Sequence, residues 1–179
     1  MTLLVAGCIL FLGSHLISVF GYRGKIEALG GAHAYEATVT ILSVISLVMI
    51  VLGYQQASYQ QLWLPLPAAH ELALYLMPVA TILIVAGNIP GNIGRHVKHP
   101  MLTGIIVWAL LHLLANGDLT STIIFATFGG YAIYRRLSLA AKLPEKQPAY
   151  RDGIAIIGGL GLYWLLYRFH HVLGGVGLT

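Results

Sequence analysis

Apolar residues occur in long runs that short polar connectors separate. Six runs are long enough to predict membrane helices, since roughly 20 apolar residues cross the hydrocarbon core of a bilayer. They are Leu3–Phe20, Ala37–Gly53, Glu71–Gly87, Met101–Ala115, Leu119–Tyr134 and Gly153–Tyr167. Several connectors contain proline, which ends helices because it has no backbone N–H to donate. The pattern predicts an all-α integral membrane protein, a six-transmembrane-helix bundle that forms a single domain over residues 1–179.

The composition favours lipid over water as the surroundings of this bundle. Hydrophobic residues make up 58% of the chain and charged residues only 9%, whereas soluble domains average about 25% charged residues. There are too few polar side chains to cover a soluble core. Cys8 is the only cysteine, which excludes an internal disulfide framework and a cysteine-rich metal site.

Positive charge is distributed unevenly among the connectors. Nine of the ten lysines and arginines fall in the first, third and fifth connectors: Arg23, Lys25, Arg95, Lys98, Arg135, Arg136, Lys142, Lys146 and Arg151. Positively charged connectors remain on the cytoplasmic side of a membrane. Both termini are therefore predicted on the outer, periplasmic side. No lysine or arginine precedes the first run and no small-residue cleavage site follows it, so this run is interpreted as a retained span.

Two histidines, His15 and His112, lie within predicted spans. A polar group in hydrocarbon is costly unless it has a partner, so both are expected to face the interior of the bundle. One interpretation is a structural hydrogen bond to a neighbouring helix. The other is a metal or haem ligand, or a proton relay, because neutral imidazole is the commonest metal ligand and paired imidazoles can hold haem iron. The spacing does not suit zinc.

Polar residues also gather at the predicted outer ends of three spans: His70, Glu71, Asn116, Asp118, Arg168 and His170. They form either a solvated rim with a weak Asp118–Arg168 ion pair or a lined entrance to a buried site. Asn116 and Asp118 follow the last turn of the fourth span, where carbonyls lack helical partners. Asp118 directly precedes the fifth span, which predicts that it caps that helix.

The faces around the two histidines contain small and aromatic residues at helical spacing. The two sets are Gly104, Trp108, His112 and Ala115, and Cys8, Phe11, His15 and Ser18. In the first set, the glycine and alanine could leave room for a porphyrin and the tryptophan could supply a flat apolar wall. Ordinary close helix packing would explain both sets equally well. Small residues in the spans, such as Gly7, Gly13, Gly129, Gly130, Gly158, Gly159 and Gly161, predict close contacts between helices.

The segment "KHPMLTGIIVWALLHLLANGD" resembles the signature of the NnrU family of bacterial membrane proteins. Its matching residues are Lys98, His99, Pro100, Trp108, Ala109, His112, Leu113, Asn116, Gly117 and Asp118. The first span and the entry to the second are also similar, at His15, Arg23, Gly31, Ala34 and Tyr35. Ala32 and Glu36 depart from the family pattern. The resemblance covers nearly the whole chain and implies a multi-pass protein of the bacterial inner membrane, linked to denitrification and nitric-oxide metabolism.

The same superfamily includes 15-cis-zeta-carotene isomerase, a haem b protein whose two proposed axial histidines match His15 and His112. The resemblance therefore implies haem b and its iron as the cofactor, with these two histidines as ligands. Trp108 and Asn116 are the further candidates for cofactor binding. A cysteine implicated in redox switching of that enzyme is Ala109 here.

The two histidines lie at predicted depths that differ by about 10 Å, at 1.5 Å of rise per residue. Two other axial pairings therefore stay open. In one, His15 pairs with His96 or His99. In the other, His112 pairs with His70 or His170.

Four functions follow from these observations. The first is a haem-b membrane protein in nitrogen-oxide redox metabolism, and the second a haem-dependent isomerase of a cis-polyene lipid. The third is a membrane methyltransferase that uses S-adenosylmethionine, since "KHPMLTG" resembles the His-Pro-x-x-x-Gly motif of isoprenylcysteine and phospholipid methyltransferases. Those enzymes also have two adjacent glutamates after a later span, which this chain lacks. The fourth is a cofactor-free structural or assembly protein. Expected partners are the lipid bilayer, a small apolar substrate or a redox partner, and a second copy in a homo-oligomer, but no nucleic acid.

Overall fold

The computed structural model describes residues 1–140 and 144–173, which are helical throughout apart from turns and connectors. The helices are α1 (Thr2–Leu16), α2 (Arg23–Gln55), α3 (Ala69–Ala86), α4 (Ile93–His96), α5 (Pro100–Ala115), α6 (Leu119–Ser138) and α7 (Tyr150–Arg168), and a 3₁₀ turn at His170–Leu173 follows α7. Each of the six apolar runs falls largely on a helix, and the all-α prediction is confirmed. Lys142, one of the nine connector cations, lies outside the described residues.

Two helices, α2 and α3, are long and apolar enough to cross a membrane by their length and composition. α1 and α5 are also apolar but have only 15 and 16 residues. Large apolar side chains are exposed along the helices, among them Ile9 at 65% and Ile157 at 75% of their surface. Such exposure is compatible with a membrane protein, because lipid rather than water would cover these side chains.

The chain divides into two compact units, Met1–Tyr59 and Gln60–Thr179. In the first unit, α1 packs along α2. Leu4 is fully buried and occupies the space that a side chain at Gly53 would need, while Gly7 lies directly against the backbone of Ser46. The predicted close contact at Gly7 is confirmed, whereas Gly13 has no neighbour within 4 Å of a Cβ position.

α2 begins earlier than its sequence predicted, at Arg23 instead of Ala37. Most of the first connector is therefore helical, but a kink at Gly31, with φ 80° and ψ 174°, separates this part from the rest of α2. Glycine adopts positive φ at little steric cost. Arg23 Nε donates to Glu27 Oε1 at 2.7 Å, and its guanidinium lies 5.1 Å from the centre of the Tyr35 ring. The Arg23 guanidinium thus contacts residues on both sides of the kink.

α1 ends earlier than predicted, at Leu16 instead of Phe20. The chain turns immediately after the helix, where Val19 N and Phe20 N both donate to Leu16 O at 3.0 Å. Gly21 then takes φ 76°. The apolar character of the turn residues extended the predicted span, because hydropathy does not register a turn.

In the second unit, α3 packs against both α5 and α7, and α5 also packs against α6. Glycines on α5 and α7 allow these approaches. Gly104 lies against Ala80 and Ile84 of α3, and Gly159 lies against the backbone of Ile82. The interpretation of Gly104 as cleared space for a porphyrin is therefore wrong, since α3 fills that space. Of the other predicted contact positions, Gly129 and Gly158 have close neighbours, but Gly130 and Gly161 have none.

A polar network joins the connector before α5 to the start of α7. Asn92 Nδ2 donates to Asp152 Oδ2 at 2.8 Å, and the backbone N–H of Ile93 donates to Asp152 Oδ1 at 2.9 Å. The Asn92 side chain, followed by the Ile93 N–H, holds the pKa of Asp152 below its usual value because both stabilise the carboxylate. Gln147 N donates to Asn92 Oδ1 at 3.0 Å, which completes the connection.

Candidate functional site around His112

His112 lies in the last turn of α5, and its own helix fixes the orientation of its ring. Nδ1 is 2.9 Å from the carbonyl oxygen of Trp108, one turn earlier. A carbonyl can only accept, so this contact assigns the proton of the neutral ring to Nδ1 and leaves the lone pair on Nε2. Nε2 has no hydrogen-bond partner among residues 1–140 and 144–173. The predicted structural hydrogen bond to a neighbouring helix is therefore not made within the described chain.

Aromatic rings hold the imidazole of His112 from the side of α6. The ring stacks on Phe125 with centroids 4.4 Å apart and planes 29° apart. Trp108 lies 5.1 Å from the imidazole, and its edge contacts also reach Phe125 and Phe128. Trp108 does not line the cavity beside His112, so its predicted role as a flat wall for a porphyrin stays a prediction. Phe125 and Phe128 are site residues that the sequence did not single out, because helical spacing relates only residues of the same helix.

A cavity of about 170 Å³ borders His112 on the side of α3 and α7. Its lining residues come from α3, the end of α5, α7 and the 3₁₀ turn: His70, Ala73, Leu74, Met77, Thr81, Leu111, His112, Ala115, Asn116, Tyr163, Leu166, Tyr167 and His170. Sites for drug-sized ligands have volumes of about 300–1,000 Å³. A cavity of about 170 Å³ is too small to enclose a porphyrin.

The cavity brings together part of the polar cluster that the sequence placed at the ends of three spans. His70, Asn116 and His170 line it with His112, whereas Glu71, Asp118 and Arg168 do not. The ring centroids of His112 and His170 are 6.2 Å apart. These residues form a histidine-lined cavity and not merely a rim.

Asn116 and Asp118 secure the junction between α5 and α6. Asn116 Nδ2 donates to His112 O at 2.8 Å, which satisfies a carbonyl at the end of α5. Asp118 is buried, and its Oδ1 accepts from Ser121 N at 2.9 Å. The predicted N-cap of α6 is confirmed. Within the described residues Asp118 makes no ion pair with Arg168, so the weak-pair interpretation is wrong.

The Asn-Gly-Asp junction also anchors the connector that precedes α3. Leu62 N and Trp63 N donate to Gly117 O at 2.6 and 3.1 Å, and Leu119 N donates to Gln60 O at 2.8 Å. The carbonyl oxygen of Trp63 occupies the position where Gly117 would carry a side chain. Hydrogen bonds from residues 60–66 therefore hold the end of α5, whose last turn carries His112.

His15 on α1 repeats the local geometry of His112. Its Nδ1 is 3.0 Å from the carbonyl oxygen of Phe11, and the two rings are 4.1 Å apart. Each histidine therefore has an aromatic residue one turn earlier, which provides both the ring contact and the carbonyl acceptor. His15 is half-buried, as is His112. His33 differs, since its side chain is fully exposed.

In the described part of the chain, no three histidine, cysteine, aspartate or glutamate side chains are grouped so that they could hold a bare metal ion. His96 is exposed, and His99 lies at the start of α5. His96 ends α4 and His99 precedes the first turn of α5, whereas His112 lies in its last turn. The chemistry available near His112 is accordingly that of the imidazoles of His70, His112 and His170 in a largely apolar cavity.

The model of the NnrU protein family matches residues 3–178. The match confirms the resemblance that the Lys98–Asp118 segment and the first two spans carry. No curated protein and no solved structure matches the chain.

Proposed function

Since this chain belongs to the NnrU family, we propose that it is a haem-b-binding, multi-pass protein of the bacterial inner membrane that acts in nitrogen-oxide redox metabolism. The observation that carries the haem proposal is the shared geometry of His15 and His112. In each ring, Nδ1 lies within hydrogen-bond distance of a backbone carbonyl of its own helix, and in His15 it also lies 3.1 Å from Ser14 Oγ. Metal-ligating histidines use this arrangement, because it fixes the tautomer and turns Nε2 toward the metal.

The residues around His112 suit a haem ligand in three respects. Nε2 of His112 has no competing hydrogen bond among the described residues. Phe125 and Trp108 restrict rotation of the imidazole. The adjoining walls are mostly apolar, which limits the access of water to the imidazole. When bound, haem would supply one-electron redox chemistry.

The second axial ligand is proposed to be His15, which the family resemblance implies. His170 is the competing candidate, because its ring lies 6.2 Å from that of His112. The two assignments differ in one experimental respect. If His15 is the second ligand, its substitution should remove the low-spin haem signal. If His170 is the second ligand, substitution of His170 should remove that signal instead.

The expected result concerns the haem spectrum of protein purified in detergent. His112→Ala should abolish the low-spin absorption and electron paramagnetic resonance signals, because an axial bond is lost. His15→Ala should do the same. His33→Ala and His171→Ala are the matched controls, since both histidines are exposed and should leave haem content and spectrum unchanged.

Two outcomes would contradict the assignment. If His112→Ala and His15→Ala both retained the wild-type spectrum and haem content, neither residue would be an axial ligand. If His15→Ala retained the spectrum but His170→Ala lost it, the ligand pair would be His112 and His170. A purified wild-type protein without any Soret absorption after haem reconstitution would favour a cofactor-free structural or assembly role.

The proposed topology has six spans with both termini outside, which the positive charge of alternate connectors supports. Reporter fusions that end at Asp118 and at Lys146 should lie on opposite sides of the membrane. The Asp118 fusion should be active with a periplasmic reporter, and the Lys146 fusion with a cytoplasmic one. Finding both junctions in the cytoplasm would overturn the six-span arrangement.

The alternative with specific support is a haem-dependent isomerase of a cis-polyene lipid. The apolar cavity beside His112, with Leu74 and Met77 in its wall, would accept an apolar chain. Ala109, at the position of the related enzyme's cysteine, is buried and packs against Gly129. Ligand switching through a thiol at that position is thus unavailable to this chain. Isomer analysis after incubation with a cis-polyene under reducing conditions would separate the two functions.

A further inference from the structure

A second and larger cavity of about 650 Å³ lies at the other end of α5. It is bounded by the connector that follows α3, by the first residues of α5 and by the end of α6. None of its residues belongs to the cavity beside His112. The haem proposal makes no use of it.

The charged side chains of this cavity are all basic. Lys98 and Arg135 line it together with His99, and the described lining residues include no aspartate or glutamate. Arg135 is half-buried and has no hydrogen bond or ion pair from its side chain within the described residues. Its neighbour Arg136 is different, because Arg136 Nε donates to Thr103 Oγ1 at 3.1 Å and joins α6 to α5. A half-buried guanidinium without a carboxylate indicates a place for an anion.

His99 adds a second and independent observation. Its Nε2 is buried and has no hydrogen-bond partner. Every other buried side-chain nitrogen or oxygen in the described residues has one. Buried polar groups are normally satisfied, so such an exception points to a missing ligand or to strain. The backbone of His99 also has φ 54° and ψ 62°, the one positive φ outside glycine in residues 1–140 and 144–173. Such conformations concentrate at binding sites.

The first turn of α5 supplies further hydrogen-bond donors from its backbone. Pro100 occupies the first turn, and the first backbone bond of the helix is Thr103 N to His99 O at 3.0 Å. The N–H groups of Met101 and Leu102 therefore have no helical acceptor, and both residues line the cavity. A helix of 16 residues directs the positive end of its dipole at this point.

We propose that this cavity binds a phosphate group, held by Lys98, Arg135 and the His99 imidazole at the N-terminus of α5. His99 is among the residues that line the cavity, and rotation of its ring about the Cβ–Cγ bond, a broad torsion, would turn Nε2 toward the ligand. The remaining wall is largely apolar and includes Ile89, Leu102 and Leu139. The phosphate could come from a lipid headgroup or from free phosphate in solution.

The test uses the full chain, purified in an uncharged detergent, and measures thermal unfolding against ligand concentration. The probes are inorganic phosphate, short-chain phosphatidylglycerol, and short-chain diacylglycerol as the amphiphile without phosphate, all at matched ionic strength. Ligand that binds only the folded state raises its stability with concentration. Phosphatidylglycerol should stabilise the protein and diacylglycerol should not. Stabilisation by inorganic phosphate as well would identify a site for free phosphate.

The variants are Lys98→Gln, Arg135→Gln and His99→Asn, since asparagine tolerates positive φ. Each should weaken the apparent affinity about tenfold, as expected for loss of a charge-assisted hydrogen bond. Lys146→Gln is the control, because Lys146 is exposed and lies outside the cavity wall. Circular dichroism establishes that each variant is folded. Equal affinity of Lys146→Gln and Arg135→Gln, or stabilisation by S-adenosylmethionine but by neither phosphate compound, would overturn the proposal.

Discussion

Gly159→Ala is expected to destabilise the second unit, although alanine is the better helix former. A Cβ at position 159 would meet the Cα and N of Ile82, and a backbone cannot move aside as a side-chain tip can. α7 would have to withdraw from α3. Overpacked contacts cost typically about 1–3 kcal/mol, more than the roughly 1 kcal/mol that alanine gains over glycine within a helix.

Gly161→Ala is the matched control on the same helix. No atom lies within 4 Å of the Cβ that alanine would introduce there. This variant should be neutral or more stable than the wild type, by up to about 1 kcal/mol. Reversible unfolding of both variants in detergent, followed by circular dichroism, provides the comparison. Equal free energies of unfolding for the two variants would contradict the described packing of α7 on α3.

The second large effect is expected for Gly117→Ala. The carbonyl oxygen of Trp63 occupies the site of the new methyl group. The connector would have to leave Gly117, with loss of the hydrogen bonds from Leu62 N and Trp63 N. Each lost hydrogen bond costs about 0.5–1.5 kcal/mol, since Leu62 and Trp63 are exposed and their N–H groups would be hydrated. We expect a lower free energy of unfolding and a faster cleavage of residues 60–66 by protease.

Gly130→Ala serves as the control for this variant, because a side chain at position 130 would meet nothing within 4 Å. The haem spectrum should also respond. Gly117 follows the helix end that carries His112, so a displaced connector should broaden the spectrum of Gly117→Ala but not that of Gly130→Ala. Wild-type protease resistance in Gly117→Ala would show that residues 60–66 are not held at this junction.

Features set by neighbouring residues in the chain could be predicted from the sequence. The six apolar runs gave the helices, and Asp118 was identified as the cap of α6 because capping depends on residues within one turn. The kink at Gly31 was not predicted, since a glycine in a helical pattern has no sign that distinguishes a kink from a packing contact. Patterns within a short stretch of sequence thus predicted where the helices lie, but not the kink within α2.

Features set by contacts between helices were predicted poorly. Gly104 stood on the face of His112 and suggested open space, but Ala80 and Ile84 of α3 fill it. Phe125 contacts His112 most closely, yet its position in α6 carried no signal of that contact. The cavity at Lys98, His99 and Arg135 was also missed, since Lys98 and His99 directly precede α5 whereas Arg135 lies near the end of α6. A single sequence contains no measure of such pairings.

The lengths of α1 and α5 have a consequence for the surrounding lipid. Helices of 15 and 16 residues rise about 22–24 Å, whereas the hydrocarbon core of a bilayer is about 30 Å thick. In the six-span arrangement this hydrophobic mismatch requires nearby lipids to compress or their chains to disorder. The protein should therefore partition into thin, fluid bilayer regions, and short-chain lipids should surround its short helices at lower elastic cost than long-chain lipids.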